Sequence, residues 1–171
     1  LRQPLEEREV TVSRVEASVT YPANFQLVAA MNPCPCGHFP DRSRCRCTDG
    51  QITRYLQKVS GPMLDRIDIC VEASPITYGD IRSSGNNESS REIRARVEQA
   101  RKIQGERFAG ENIRCNGEMS GRHIRKFCWL GREEEKFMEE IFKKLALSAR
   151  MHDRILKVAR TTADLAEEEK I

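Results

Sequence analysis

Two short runs of β-forming residues near the start of the chain predict a β-hairpin. Val10–Ser13 and Ala17–Thr20 alternate apolar with hydroxyl-bearing residues, which is the period of a strand with one apolar face. The segment Arg14–Glu16 lies between the two runs. The pattern therefore places Arg14 near the tip of the hairpin.

A nearly continuous apolar run, Phe25–Met31, predicts a strand that is buried on both faces, as in a parallel sheet. The run ends at Asn32–Pro33, because proline has no N–H group for a further ladder bond. The alternating segment Ile67–Ala73 predicts another strand, and residues 51–59 between the two predict a short helix. The first part of the chain therefore predicts a partial α/β core.

Helical periodicity dominates the second half of the chain. Ser89 and Glu92 fit a capping box, and apolar residues recur at helical spacing after them. Another helix is predicted over residues 132–145, and a last one begins with Ser148 as its N-cap. The sequence thus predicts an α/β region over residues 1–74, a linker rich in glycine and asparagine over 75–88, and an all-helical region over 89–171.

Composition restricts the class of protein. Hydrophobic residues make up 39% of the 171 residues and charged residues 32%, which excludes a collagen-like, mucin-like or wholly disordered chain. The longest apolar run, Leu27–Met31, is far shorter than a membrane span, and the net charge of +3 does not by itself indicate a nucleic-acid partner. Seven cysteines without a secretion signal argue against a disulfide framework, so we expect a soluble, cytoplasmic protein.

Four of the cysteines lie within fourteen residues and predict a metal site. They form the pattern C-x-C-x8-C-x-C, with Cys34, Cys36, Cys45 and Cys47. Two close pairs brought together by a loop supply the four soft ligands of tetrahedral zinc, and four protein ligands leave no open position for catalysis. A structural zinc site is therefore expected. The alternatives are His38 in place of one thiolate, a redox dithiol, an iron–sulfur cluster, or idle reduced thiols.

Three polar residues are candidates for ligand binding, and each also has a simpler explanation. Asn32 ends a buried strand, where ligands of open α/β sheets bind, but asparagine before proline is also a common strand terminator. Arg66 lies between two aspartates, where it either forms a surface ion pair or reaches a phosphate. Arg150 places a positive charge in the first turn of its helix, where the helix dipole is already positive; this is tolerated if the arginine and the helix N-terminus together bind an anion. The simpler explanation is a solvated helix face, which is also expected for Arg154 and Arg160.

Several specific motifs follow one another over almost the whole chain: Arg2–Glu6, Val10–Arg14, Leu27–Gly37, Ser60–Asp68, Leu147–Arg150 and Arg154–Arg160. Together they closely resemble the magnesium-chelatase-like AAA+ ATPases of the ComM type. The resemblance implies the second half of an AAA+ module followed by a helical lid and C-terminal domain. It also implies ATP and Mg²⁺ as cofactors of the complete protein, assembly into a ring that we expect to be hexameric, and single-stranded or branched DNA as the partner.

The resemblance further implies roles for individual residues. Asn32 falls at sensor 1, which orients the water that attacks the γ-phosphate. Arg66 matches the arginine finger, which reaches into the ATP site of a neighbouring subunit. Arg150 matches sensor 2, which acts in cis or in trans. The hairpin matches the pre-sensor-1 hairpin, which in the similar MCM helicases points into the channel of a ring, so Arg14 is expected to contact a DNA backbone.

The chain contains no G-x-x-x-x-G-K-[ST] loop, so we expect that by itself it neither binds ATP tightly nor hydrolyses it. Unpaired sheet edges are expected to cause self-association or partial disorder in the first third. The leading interpretation is a part of a DNA helicase or branch-migration motor that acts in competence or recombination. The alternatives are a chelatase-type motor subunit, or a metal-stabilised DNA- or protein-binding module without an ATPase role that contacts its partner through Arg42, Arg44 and Arg46.

Overall fold

The computed structural model describes residues 2–76, 78–82 and 88–171. The chain divides into two compact units, Leu1–Ile67 and Asp68–Ile171. In the described residues, no helix has both the length and the apolar character that crossing a membrane requires. The elements of the first unit are α1 (Arg2–Glu7), β1 (Glu9–Arg14), β2 (Ala17–Pro22), α2 (Asp49–Leu56) and α3 (Gly61–Leu64).

The predicted hairpin is confirmed. Strands β1 and β2 pair antiparallel, and Arg14 lies opposite Ala17, so a two-residue turn joins the strands. Hydroxyl groups face one another across the pair, with Thr11 Oγ1 2.9 Å from Thr20 Oγ1. Arg14 is therefore the last strand residue before the turn, as the sequence pattern indicates.

The two further strands expected from sequence do not form. The hairpin is the only sheet among the described residues, and Phe25–Met31 and Ile67–Ala73 have no strand assignment. A β-strand exists only through hydrogen bonds to a neighbouring strand, and these segments have none. Most of their apolar side chains are exposed, with Val28 and Val71 each 84% exposed, although Leu27 and Ile67 are half-buried. The prediction of these two strands was wrong. The hairpin, the short helices and the helical second half nevertheless agree with the predicted fold class.

The predicted short helix after the cysteine loop is confirmed as α2. Thr48 is its N-cap: the Thr48 hydroxyl accepts the N–H of Gln51 at 3.3 Å, and the Gln51 side chain accepts the N–H of Thr48 at 2.9 Å. This reciprocal capping box satisfies two N–H groups that the first turn of a helix leaves without partners. Ile52 is buried on the inner side of the helix.

The second unit is helical, as predicted, and its helices begin where the caps indicate. Ser89 forms the predicted capping box with Glu92, and Ser148 caps the last helix through the N–H of Met151. The predicted linker over 75–88 falls partly outside the described residues. The elements are α4 (Tyr78–Arg82), α5 (Ser90–Arg107), a 3-10 turn (Asn116–Glu118), α6 (Gly121–Phe127), α7 (Arg132–Lys144) and α8 (Ala149–Leu165).

A small apolar core joins the helices of the second unit. The rings of Phe108 and Phe127 meet edge to face, with their centroids 5.4 Å apart, a favoured aromatic arrangement. Burial raises the pKa of the Cys128 thiol to about 11, so this cysteine is an inert apolar group rather than a reactive one. The buried members of the core are Phe108, Met119, Ile124, Cys128 and Leu156.

A buried carboxylate lies beside this core and connects distant parts of the second unit. Asp164 of α8 is 1% exposed. Its oxygens accept hydrogen bonds from Arg107 Nη1 at 2.7 Å, from Asn116 Nδ2 at 2.7 Å and from Arg160 Nε at 3.1 Å. Arg160 is 4% exposed and also donates to the backbone carbonyls of residues 168 and 169. The expectation that Arg160 lies on a solvated face was therefore wrong, because this carboxylate and these carbonyls compensate its burial.

We expect Asp164→Asn to destabilise the second unit by about 3–5 kcal/mol, because the substitution leaves two largely buried guanidinium groups without their carboxylate. Urea denaturation followed by the fluorescence of the single tryptophan, Trp129, measures the change. Asp153→Asn alters a more exposed carboxylate on the same helix and should change stability by less than about 0.5 kcal/mol. Equal effects of the two substitutions would contradict this role for Asp164.

The same carboxylate predicts a pH dependence of stability. Burial raises the pKa of Asp164, but the hydrogen bonds from Arg107 and Asn116 and the charges of the two arginines outweigh it, so the pKa lies below its usual 3.8. A group with a lowered folded-state pKa stabilises the fold fully above its unfolded pKa, and this contribution is lost as the pH falls through the folded value. We therefore expect the stability of the wild-type chain to fall below about pH 4, and that of Asp164→Asn to fall less steeply over the same range.

Candidate functional site

The cysteine-rich loop of the first unit brings its four thiols together. The Sγ atom of Cys34 lies 3.4 Å from that of Cys36 and 3.8 Å from that of Cys45, and the Cys36 and Cys45 sulfurs are 3.6 Å apart. With Cys47 included, all four sulfur atoms lie within 4.8 Å of one another. A tetrahedron with Zn–S bonds of about 2.3 Å places its sulfurs about 3.8 Å apart. The four cysteines therefore have the spacing that a tetrahedral metal ion requires.

Two turns give the loop this geometry. Gly37 donates its N–H to the carbonyl of Cys34 at 3.0 Å, and its φ of +80° lies in the left-handed region that favours glycine. Further along, the carboxylate of Asp41 accepts the N–H of Ser43 at 2.9 Å, and the carbonyl of Asp41 accepts the N–H of Cys45 at 2.8 Å. The second turn returns the chain so that the two cysteine pairs face each other.

Arg42 secures the end of the loop to helix α2. Its guanidinium forms an ion pair with Asp49 in the first turn of that helix, donates to the carbonyl of Cys47 at 3.4 Å, and lies 5.1 Å from the centroid of the Phe39 ring. The sequence suggested Arg42 as a contact to a partner. In the structure its visible contacts are to the loop and to the first turn of α2.

The electrostatics of the cluster favour a cation. Backbone N–H groups of His38 and Arg46 point at the sulfur of Cys36 and lower the pKa of that thiol to about 6. Burial, together with the neighbouring sulfurs, raises the pKa of Cys47 to about 11. Four adjacent thiolates repel one another, so without a cation some of them stay protonated. A divalent ion removes that repulsion, and the four soft donors suit a metal such as zinc.

Asn32 lies immediately before this cluster. A Cβ atom built on Gly37 would be 3.9 Å from the Asn32 side chain, so the amide adjoins the first turn of the cysteine loop. The side chain is otherwise exposed. The structure thus brings one of the predicted site residues next to the cysteine cluster.

Arg66 is packed within the first unit. Its side chain is 13% exposed and forms an ion pair with Glu6 of α1 at 2.8 Å. It also donates to the backbone carbonyl of Pro62. Its Nε atom is buried and has no hydrogen-bond partner among the described residues. The guanidinium is therefore held but not fully satisfied.

Arg14 and Arg150 are exposed, in the first and second unit respectively. Arg14 stands beside the hairpin turn. Arg150 lies in the first turn of α8, whose N-cap position is already filled by the hydroxyl of Ser148. Both charges are therefore at positions that a phosphate group can reach.

The expectation that Arg154 lies on a solvated face was wrong, and sequence reasoning gave it no specific contact. Its side chain is 19% exposed, and its Nε lies 2.7 Å from a carboxylate oxygen of Asp68, at the start of the second unit. Its Nη1 is buried without a partner among the described residues. The spacing of four residues from Arg150, which places both arginines on one helix face, was a signal that could have drawn attention to it.

Comparison with known families covers nearly the whole chain. The family model described as magnesium chelatase, subunit ChlI, matches residues 1–81. The model for the C-terminal part of the same subunit matches residues 87–171. The boundary between the two matches falls within the predicted linker.

Curated relatives align with the chain almost from end to end. Competence protein ComM of Haemophilus influenzae is 43% identical over 100% of this chain. The uncharacterized protein YifB of Escherichia coli is 42% identical over 100% of it, and an uncharacterized protein of Mycobacterium bovis is 38% identical over 97%. Each alignment covers 33% of the relative, so the chain spans about a third of the length of these proteins. From these matches, the chain belongs to the magnesium-chelatase-like family of AAA+ ATPases.

Proposed function

We propose that the chain is the C-terminal part of a cytoplasmic AAA+ ATPase that acts as a hexameric DNA helicase or branch-migration motor in competence or recombination. The observation that carries this proposal is the end-to-end match to a competence protein within a family of ATPases. In this proposal the P-loop and the Mg²⁺ ligands are supplied elsewhere in the complete protein, and the present chain supplies residues that respond to ATP.

The proposed catalytic roles use the chemistry of each side chain. Asn32 positions the water that attacks the γ-phosphate, because its amide both donates and accepts hydrogen bonds. Arg66 acts as the arginine finger and stabilises the negative charge that develops during phosphoryl transfer. Its guanidinium pairs with the carboxylate of Glu6, and a phosphate of the neighbouring subunit would offer oxygen acceptors that a guanidinium can bind in a bidentate manner. Arg150 acts as sensor 2.

A structural zinc ion at the four cysteines would add stability to the first unit, whose hydrophobic core is small. The buried apolar residues in the described part of that unit are Cys34 and Ile52. A core this small contributes little hydrophobic stabilisation, whereas a four-cysteine zinc site contributes folding free energy directly. Zinc would thus fix the loop that adjoins Asn32.

The exposed hairpin provides the proposed DNA contact. Arg14 stands beside the hairpin turn, and we place it against the sugar–phosphate backbone in the channel of the ring. A contact of this kind adds affinity without sequence preference, because every phosphate carries the same charge.

A second candidate function rests on the cysteine loop itself. Arg44 and Arg46 are exposed on either side of Cys45, which suits a metal-stabilised module that binds DNA or protein without an ATPase role. The two functions differ in ATP turnover by the complete protein.

The chain should bind about one zinc ion, and Cys45→Ser should lose it, because three thiolates and a hydroxyl hold zinc less tightly than four thiolates. Elemental analysis of the purified chain measures the stoichiometry. Cys70→Ser changes an exposed cysteine outside the cluster and should retain the ion. A coloured iron–sulfur chromophore, or equal metal content in both variants, would contradict the zinc site.

Arg66→Ala should lower kcat for ATP hydrolysis by the complete protein about 10³-fold, as expected for loss of an arginine finger. Hydrolysis is measured with and without single-stranded DNA. Glu6→Gln separates this role from a structural one, because it removes the partner of Arg66 but keeps the guanidinium. Turnover should persist in Glu6→Gln, whereas an equal loss in both variants would show that only the ion pair matters.

Arg14→Ala should weaken binding of single-stranded DNA by a similar factor for all sequences, and should reduce the slope of log K against log salt concentration by about one, since one phosphate contact is lost. Titration at several salt concentrations measures both quantities for the assembled protein. Glu16→Gln removes a negative charge at the same turn and should not weaken binding. An unchanged slope in Arg14→Ala would exclude the contact.

A further inference from the structure

The register of the β1–β2 hairpin gives its two faces different chemistry. Residues that pair across an antiparallel ladder point to the same face, and successive pairs alternate between the faces. One face therefore carries the hydroxyl pairs, Thr11–Thr20 and Ser13–Ser18. The other face carries the pairs Arg14–Ala17, Val12–Val19 and Val10–Tyr21. The positive charge of Arg14 thus shares a face with apolar side chains and one aromatic ring.

The hydroxyl face holds the two strands together. Thr11 Oγ1 lies 2.9 Å from Thr20 Oγ1, and Ser13 Oγ lies 3.0 Å from Ser18 Oγ. Cross-strand hydrogen bonds of this kind stabilise antiparallel pairs, and they matter here because a two-stranded hairpin is only marginally stable in water. These four side chains therefore have a structural role that requires no ligand.

The Arg14 face, in contrast, leaves apolar surface in water. Val12 and Val19 are each 44% exposed, and Tyr21 is 55% exposed. The register places these residues on one strip, which runs along the hairpin to Arg14 beside the turn. Contiguous exposed apolar surface that is bordered by polar groups marks an interaction site.

The chemistry of this strip fits a single strand of DNA. The charged side chain on the strip is positive, and the DNA backbone carries a phosphate at every nucleotide. The Tyr21 ring offers a flat apolar surface on which an unstacked base can stack. The bases of a duplex are already stacked on one another, so a single strand is the form that presents both phosphate and base to the strip.

The spacing along the hairpin also suits a single strand. Ala17 is the cross-strand partner of Arg14, and Tyr21 follows Ala17 by four residues in β2. This separation is about 13 Å at the usual rise of a strand. A few nucleotides of extended single strand cover that distance, so one phosphate can reach Arg14 while a base reaches Tyr21.

We propose that Tyr21 is a base-stacking residue, and that single-stranded DNA lies along the Arg14 face of the hairpin with a phosphate on Arg14 and a base on the Tyr21 ring. The inference rests on the proposed DNA contact of Arg14, and it names the form of DNA that the hairpin binds. Stacking tolerates any sequence because every base has a π-face. It releases no counterions, so Tyr21 contributes to affinity without contributing to the salt dependence.

Binding of two fluorescently labelled ligands to the complete protein tests the role of Tyr21. One ligand is oligo(dT), and the other is an abasic sugar–phosphate oligomer of the same length. Tyr21→Ala should weaken binding of oligo(dT) about tenfold, but should change neither its salt slope nor the affinity for the abasic oligomer. Tyr21→Phe keeps the ring and should bind both ligands as the wild type does. Arg14→Ala should weaken binding of both, because both carry phosphates.

Thr20→Val is the matched control. Thr20 precedes Tyr21 in β2 but lies on the hydroxyl face, and valine keeps the branched shape that suits a strand. This variant should bind oligo(dT) with unchanged affinity. The Tm of each variant is measured as well, so that an effect on folding is recognised.

The outcomes separate this inference from the proposed function. Weakening that is confined to oligo(dT) in Tyr21→Ala supports base stacking. Equal weakening of both ligands in Tyr21→Ala, together with a lower Tm, overturns it, because the ring then acts through the fold. Unchanged oligo(dT) binding in Tyr21→Ala, while Arg14→Ala weakens it, overturns the role of Tyr21 and leaves the proposed DNA contact standing. Absence of DNA binding by the wild-type protein overturns both.

Discussion

The second unit depends on one buried negative charge. Asp164 accepts hydrogen bonds from Arg107 of α5, Asn116 of the 3-10 turn and Arg160 of its own helix, and so joins three elements at one carboxylate. A charge removed from water needs such partners, because its desolvation costs several kcal/mol. The apolar core beside it fixes the distances between the helices, and the carboxylate selects the arrangement in which the donors converge. Helix α8 is thereby placed with its N-terminal turn, which bears Arg150, exposed.

The first unit has a smaller apolar core than the second. Its described residues bury little apolar surface, and apolar residues such as Val28 remain in solvent. Two turns gather four thiols at the spacing of a tetrahedral metal site, and a metal bound there would supply folding free energy that burial does not. The chain spans about a third of the length of its curated relatives. A continuous apolar segment such as Phe25–Met31 is typical of a strand that a parallel sheet buries on both faces.

Arginine has three different environments in this chain, and the differences bear on function. Arg160 is buried and fully engaged by a carboxylate and backbone carbonyls. Arg66 and Arg154 are mostly buried, but each retains an unpaired nitrogen among the described residues. Arg14 and Arg150 are exposed. The first environment compensates a buried charge, whereas the exposed guanidinium groups of Arg14 and Arg150 remain accessible to solvent.

The sequence by itself determined the elements that depend on near neighbours. The hairpin, the capping boxes at Thr48 and Ser89, the start of α8 at Ser148 and the grouping of the cysteines all arise from residues within a few positions or a single loop, so their patterns predict them. The tertiary structure decided that Phe25–Met31 forms no strand, since strand formation needs a partner that periodicity does not reveal. It also decided that Arg160 is buried, that Arg66 meets Glu6, and that Arg154 meets Asp68. A charged residue on a helix looks the same in sequence whether it faces water or a distant carboxylate, and only the folded chain brings that carboxylate to it.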